Sequence, residues 1–149
     1  MATRTKVMVV DGDQGFCNTL SSHLASHFMV VSCTNGIDAL RRAAGYLPDV
    51  VLCAVELADT AVDGIATLRL IRNDPLLSHT PVIILSHRAG RSLVEQARAA
   101  GAFWYIRKDA VFQYDLIGRI RHAVRSGMDM EPMPSPTFTG PHAIRQTVG

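Results

Sequence analysis

Charge, aromatic rings and cysteine are all scarce in this sequence. Charged residues make up 19% of its 149 positions, and aromatics 6% with a single tryptophan. Three cysteines occur, Cys17, Cys33 and Cys53. An odd count with no C-x-x-C or mixed Cys/His spacing excludes a disulfide framework and a zinc module, leaving the thiols as small buried hydrophobes. Long apolar runs are missing too. Val7–Val10 and Val50–Val55 fall far short of the roughly 20 residues a membrane helix needs, so no membrane span is expected. The first residues, Met1-Ala2-Thr3-Arg4-Thr5-Lys6, lead straight into a strand-like segment without the apolar region and cleavage site of a secretory signal. A cytoplasmic location is therefore expected.

Hydrophobic residues account for 48% of the chain, enough for one cored domain. The formal net charge is only +2, but the charge is unevenly spread. Residues 1–87 carry six Lys/Arg against eight Asp/Glu, whereas residues 88–125 carry eight against three. Four of the seven prolines, Pro132, Pro134, Pro136 and Pro141, fall in the last stretch. The expected division is a domain over 1–126 and a flexible tail or linker over 127–149.

Short apolar runs alternate with amphipathic segments, the pattern of β-α units around a parallel sheet. Strands are expected at Lys6–Asp11, Met29–Thr34, Asp49–Val55, Pro81–Leu85 and Phe103–Ile106. The first helix carries Phe16, Leu20, Leu24 and Phe28 as a stripe, and the second places Ile37, Leu40 and Ala44 inward. The third uses Ile65, Leu68 and Ile71, the fourth spans Arg91–Ala100 and stops at Gly101, and the fifth runs Phe112–Ser126 with Leu116, Ile117, Ile120 and Val124 buried.

Ligands of open parallel sheets bind where loops leave the carboxyl ends of the strands. Polar groups sit at four such ends: Asp11 and Asp13, then Glu56, Ser86 and Lys108. Carboxylates, a hydroxyl and an ammonium are the equipment of phosphoryl transfer.

Across about residues 5–126 the sequence resembles the receiver domain of bacterial two-component response regulators. The resemblance rests on Val9-Val10-Asp11-Gly12-Asp13, Gly36-Ile37-Asp38-Ala39-Leu40, Pro48-Asp49-Val50-Val51-Leu52, Asp63-Gly64, Pro81-Val82-Ile83-Ile84-Leu85-Ser86, Gly101-Ala102 and Tyr105-Ile106-Arg107-Lys108. It implies a flavodoxin-like, doubly wound α/β fold with five helices and a five-stranded parallel sheet of order 2-1-3-4-5. It also implies an acidic pair holding Mg²⁺, a phosphoacceptor aspartate ending the third strand, a Ser/Thr and a Lys on the phosphoryl oxygens, and a switch aromatic at Tyr105. With that strand order Cys33 and Cys53 stand two strand spacings apart, about 9.6 Å, too far for a disulfide.

Departures from the family pattern fall on the chemistry. Counted forward from Gly36 and Pro48, the acceptor position is Ala54, whose methyl group cannot form an acyl phosphate. Counted back from Gly64 it is Glu56, which would resemble a fixed phosphoaspartate mimic. Gly12 stands in place of the second acid, Asp109 in place of the proline after the lysine, and the segment from Ala54 to Gly64 is two residues longer than usual. Asp11, Asp13, Ser86 and Lys108 then form a vestigial phosphorylation site, with Asp11 a weak metal candidate and Mg²⁺ not expected. For Lys108 the structural reading is an ion pair with Asp11 or Glu56.

His23 and His27 lie four apart on one helix but have no evident third ligand, so a helix face is expected. Arg91, Arg98, Arg107, Arg119, Arg121 and Arg125 cluster on the fourth helix, fifth strand and fifth helix. In the resembling family that surface engages protein partners or a second copy of the chain, and direct nucleic-acid binding is not expected. The leading expectation is a non-enzymatic, phosphorylation-independent pseudo-receiver that signals through protein contact. The alternatives are a phosphorylatable receiver using Asp59 or Asp63, and one made constitutively active by Glu56.

Overall fold

The computed structural model describes residues 4–88, 90–112 and 115–126. In chain order the elements are β1 (Lys6–Val10), α1 (Gln14–Leu24), β2 (Met29–Cys33), α2 (Gly36–Tyr46), β3 (Val50–Ala54), α3 (Gly64–Asn73), β4 (Val82–Ser86), α4 (Arg91–Ala99), β5 (Trp104–Arg107), a 3-10 turn (Lys108–Ala110) and α5 (Leu116–Ser126). All strand pairs are parallel, in the order β2-β1-β3-β4-β5. This is the doubly wound, flavodoxin-like sheet with five helices that the family resemblance implies, built from the parallel β-α units that the alternating pattern implies. Among the described residues no helix is long and apolar enough to cross a membrane. The expected tail, 127–149, lies outside the described residues.

The near-continuous apolar strands follow from burial on both faces. Successive side chains alternate between two cores. Val7, Val9, Val50, Leu52, Ile83 and Leu85 face Cys17, Leu20 and Leu24 of α1 and Leu116, Ile120 and Ala123 of α5. Met8, Val10, Val51, Cys53, Val82 and Ile84 face Ala39 and Ala43 of α2, Ile65, Leu68 and Ile71 of α3, and Val94 and Ala97 of α4. All three cysteines are free and buried.

Three helices differ from their expected form. In α2 the buried residues are Gly36, Ala39 and Ala43, while Ile37 is 42% exposed. Close approach sets that phase, because a Cβ at Gly36 would collide with the Thr67 Oγ1 of α3. Of the three residues expected inward, Leu40 packs against the core at its edge, whereas Ile37 and Ala44 are exposed and Gly36, Ala39 and Ala43 take the buried face. The last helix starts at Leu116, not Phe112, because the Asp115 carboxylate accepts the Gly118 N–H at 3.0 Å and its carbonyl accepts the Arg119 N–H. An aspartate two to three residues before free backbone donors is a helix cap. Leu116 and Ile120 are buried as expected, with Ala123 beside them, whereas Ile117 and Val124 lie at the edge of that core. At the other end of the fold Phe28 is buried from the turn after α1, which stops at Leu24.

Candidate functional site

Strand register brings the polar strand ends together. Val10 pairs with Cys53, Ala54 with Leu85 and Ser86 with Arg107, so Asp11, Ala54, Ser86 and Lys108 all lie at or one step beyond the last paired residues of four adjacent strands. Ala54 is the final residue of β3 and is fully buried.

Asp11 is 1% exposed. Its Oδ1 accepts the Asp13 N–H at 2.9 Å, and its Oδ2 lies 2.5 Å from the Lys108 Nζ. No well-angled hydrogen bond reaches Oδ2 among the described residues, so the ammonium is the compensation this oxygen has for lost water. Lys108 is buried as well, with its Nζ 4.5 Å from the centroid of the Phe16 ring. Two charges removed from water persist when each supplies the other's field, and the ring face adds a cation–π contribution. Of the two partners open to Lys108, the structure selects Asp11. The thiol of Cys17, 3.4 Å from the Asp11 carbonyl oxygen, is pushed up to about 11, first by burial and then by the Asp11 charge.

Asp13 does different work. Its side chain accepts the Phe16 N–H at 3.1 Å and caps α1, which the sequence pattern of Asp before an apolar helical run could have revealed. The Asp63 carboxylate accepts the Ala66 N–H and caps α3, and that of Asp59 accepts the Ala61 N–H in a turn.

Glu56 lies two residues beyond the end of β3. Its Oε1 accepts a hydrogen bond from the Ser86 Oγ at 3.1 Å, and the Arg88 Nε lies 3.2 Å from the same oxygen. Ser86 is fully buried, and its Oγ also accepts the Arg88 N–H at 3.1 Å. Tyr105 is 7% exposed and donates its hydroxyl to the Arg88 carbonyl at 2.6 Å; burial pushes its phenol pKa up. One residue, Arg88, thus touches Glu56, Ser86 and Tyr105. Sequence reading missed it, because two of these contacts run through its backbone N–H and carbonyl in the loop after β4, which leave no residue-type or periodic signal.

The arginine cluster is dispersed into local contacts. Arg98 pairs with Glu95 at 2.9 Å, Arg107 with Asp109 at 2.6 Å, and the Arg119 guanidinium lies 4.7 Å from the Trp104 ring centroid. Arg121 lies over Phe28 and 3.4 Å from the His27 Nδ1. Arg91, Arg121 and Arg125 are exposed. His23 packs edge-on to Phe112, apart from His27's contacts.

Mg²⁺ does not fit this arrangement. A magnesium site needs near-octahedral oxygen ligands. Here the Asp11 charge is spent on Lys108, position 12 has no side chain, Asp13 is turned to α1, and the Glu56 carbonyl accepts the Gly12 N–H at 3.2 Å. Among the described residues no group of three or more His, Cys, Asp or Glu could hold a metal ion.

Residues 7–121 match the family described as Response regulator receiver domain. The chain belongs to that family. Its relatives include the protein PilG of Pseudomonas aeruginosa, 30% identical over 122 residues that make up 81% of this chain and 88% of PilG. The transcriptional regulatory protein KdpE of Mycobacterium tuberculosis is 34% identical over 81% of this chain and 51% of its own length. The response regulator PleD of Caulobacter vibrioides is 29% identical over 80% of this chain, which spans only 26% of PleD. Among solved structures, a CheY-like receiver domain protein of Methanospirillum hungatei superposes with a TM-score of 0.76 at 18% identity, covering 87% of this chain and all of that one. The signal receiver domain of an HD domain-containing protein from Pseudomonas fluorescens gives 0.76 at 22% identity, covering 85% and 99%. Both share the fold. As a receiver domain, the chain has a general role in signal transduction.

Proposed function

We propose that this receiver domain works without phosphorylation, its signalling state set by its own Glu56 carboxylate and read by a protein partner at α4, β5 and α5. The observation that carries this reading is the 3.1 Å hydrogen bond from the Ser86 hydroxyl to Glu56. In receivers that hydroxyl contacts the phosphoryl group, and here it meets a permanent anion supplied two residues beyond Ala54. The inward Tyr105, bonded to the carbonyl of Arg88, supports a loop already set around that anion. Ala54 offers no acceptor oxygen, and the Asp59 and Asp63 carboxylates are occupied as turn and helix caps. Each accepts a backbone N–H of its own segment, Ala61 for Asp59 and Ala66 for Asp63, so both carboxylates serve local structure and neither supports a rearranged acceptor site.

Lys108 is then a structural partner of Asp11, not a phosphoryl sensor. The exposed arginines give the α4, β5 and α5 surface its affinity for an acidic protein face, through Arg91, Arg121 and Arg125. Capture of partners by the natural chain, by Glu56→Gln and by the charge reversal Arg121→Glu with Arg125→Glu tests the reading. Partners lost in both variants are expected. A partner set indifferent to Glu56→Gln contradicts the role given to that carboxylate.

A further inference from the structure

The segment between β3 and α3 is anchored by backbone at three points. Gly12 N–H donates to the Glu56 carbonyl at 3.2 Å, Ala58 N–H to the Thr34 carbonyl at 2.9 Å, and Gly64 N–H to the Val55 carbonyl at 2.8 Å. Between them Leu57 is 6% exposed and packs into the core shared with α2 and α3. This segment is the stretch two residues longer than the family's usual one, and its course is fixed from below by what position 12 lacks. A Cβ at Gly12 would stand 2.9 Å from the Leu57 carbonyl carbon, 3.0 Å from the Ala58 nitrogen and 3.1 Å from the Glu56 carbonyl oxygen. All three are backbone atoms, which cannot swing aside as a flexible side chain would. Glycine is therefore required at 12 for space. At the return of the segment, a Cβ on Gly64 would collide with the Ala54 carbonyl.

We propose that residues 55–63 form a strap, seated on Gly12, that closes the carboxyl end of the sheet over Asp11 and Ala54 and aims Glu56 at Ser86. The strap takes the volume into which a side chain at position 12 would project. The loss of a side chain there and the lengthening of the segment are two halves of one device, since either alone would leave a clash or a gap. Asp11, Ala54 and Ser86, at most 1% exposed, are sealed beneath it from small phosphodonors and cations. The aiming of Glu56 rests on the function proposed above; the closure does not, because it is built from backbone contacts and Leu57.

Amide hydrogen exchange of the full chain tests the strap, using Gly12→Ala to push it from below and Leu57→Ser to remove its buried anchor without any clash at 12. Both variants are expected to exchange the amides of Gly12, Ala58 and Gly64 roughly ten-fold faster or more, with the central amides of β1, β3 and β4 unchanged. Fast exchange of these three amides in the natural chain overturns the strap. So does either variant leaving their rates unchanged, or raising strap and sheet rates equally. Glu56→Gln is expected to leave strap protection intact. If it also leaves partner capture intact, the role of Glu56 fails while the strap stands.

Discussion

Lys108 and Asp11 form a buried ion pair, 2.5 Å from Nζ to Oδ2, with both side chains no more than 3% exposed. It ties the end of β1 to the end of β5 across two intervening strands.

Removing one partner of this pair leaves the other charged in a dry site. Lys108→Met is expected to lower stability by about 3–5 kcal/mol, measured by urea unfolding. Adding Asp11→Asn to Lys108→Met recovers part of the loss, because no uncompensated charge is then buried. Equal and additive losses from the two substitutions would show that the side chains do not act as a pair.

Arg72 holds the turn before β4 and the turn before β5 together. Its Nε and Nη2 donate to the Gly101 carbonyl at 3.1 and 2.9 Å, and its Nη1 to the Thr80 carbonyl at 2.6 Å. Gly101 adopts φ +97°, a conformation that favours glycine, and a Cβ there would stand 2.9 Å from the Arg72 Nε. Lysine keeps the charge but loses the planar fork. Arg72→Lys is expected to cost about 2 kcal/mol in denaturant unfolding; a loss within experimental error would mean that charge alone suffices.

Alkaline pH is expected to destabilise the fold. Burial raises the Cys17 thiol from 9.0 to about 11 and raises Cys33 and Cys53 as well, with Tyr46 and Tyr105 shifted the same way. Each raised group keeps its proton in the folded state after the unfolded chain has released it. Stability is therefore full below about pH 9 and falls as pH rises toward 11. Cys17→Ala should flatten that part of the stability curve, read from urea midpoints between pH 8 and 11. An unchanged slope would contradict the assignment to Cys17.

The sheet was legible because buried parallel strands read as unbroken apolar runs between turn signals, and each strand lies within a residue or two of its expected place. Asp11, Ser86 and Lys108 were legible as strand-end residues, since the parallel sheet brings such ends to one edge. Asp13 carried two valid signals, an acidic pair and a helix cap, and the structure uses the cap. The phase of α2 escaped because steric room for Thr67, not hydrophobicity, decides it. Arg88 and the strap on Gly12 escaped because each depends on contacts across the fold: a glycine's role is visible only when the backbone lying over it is known.

Intact mass after incubation with Mg²⁺ and a small acyl phosphate tests the central claim most directly. The natural chain is expected to keep its mass, because Ala54 has no acceptor oxygen and Asp59 and Asp63 are held as caps. One phosphoryl group added to the natural chain would contradict a receiver whose state is set by Glu56.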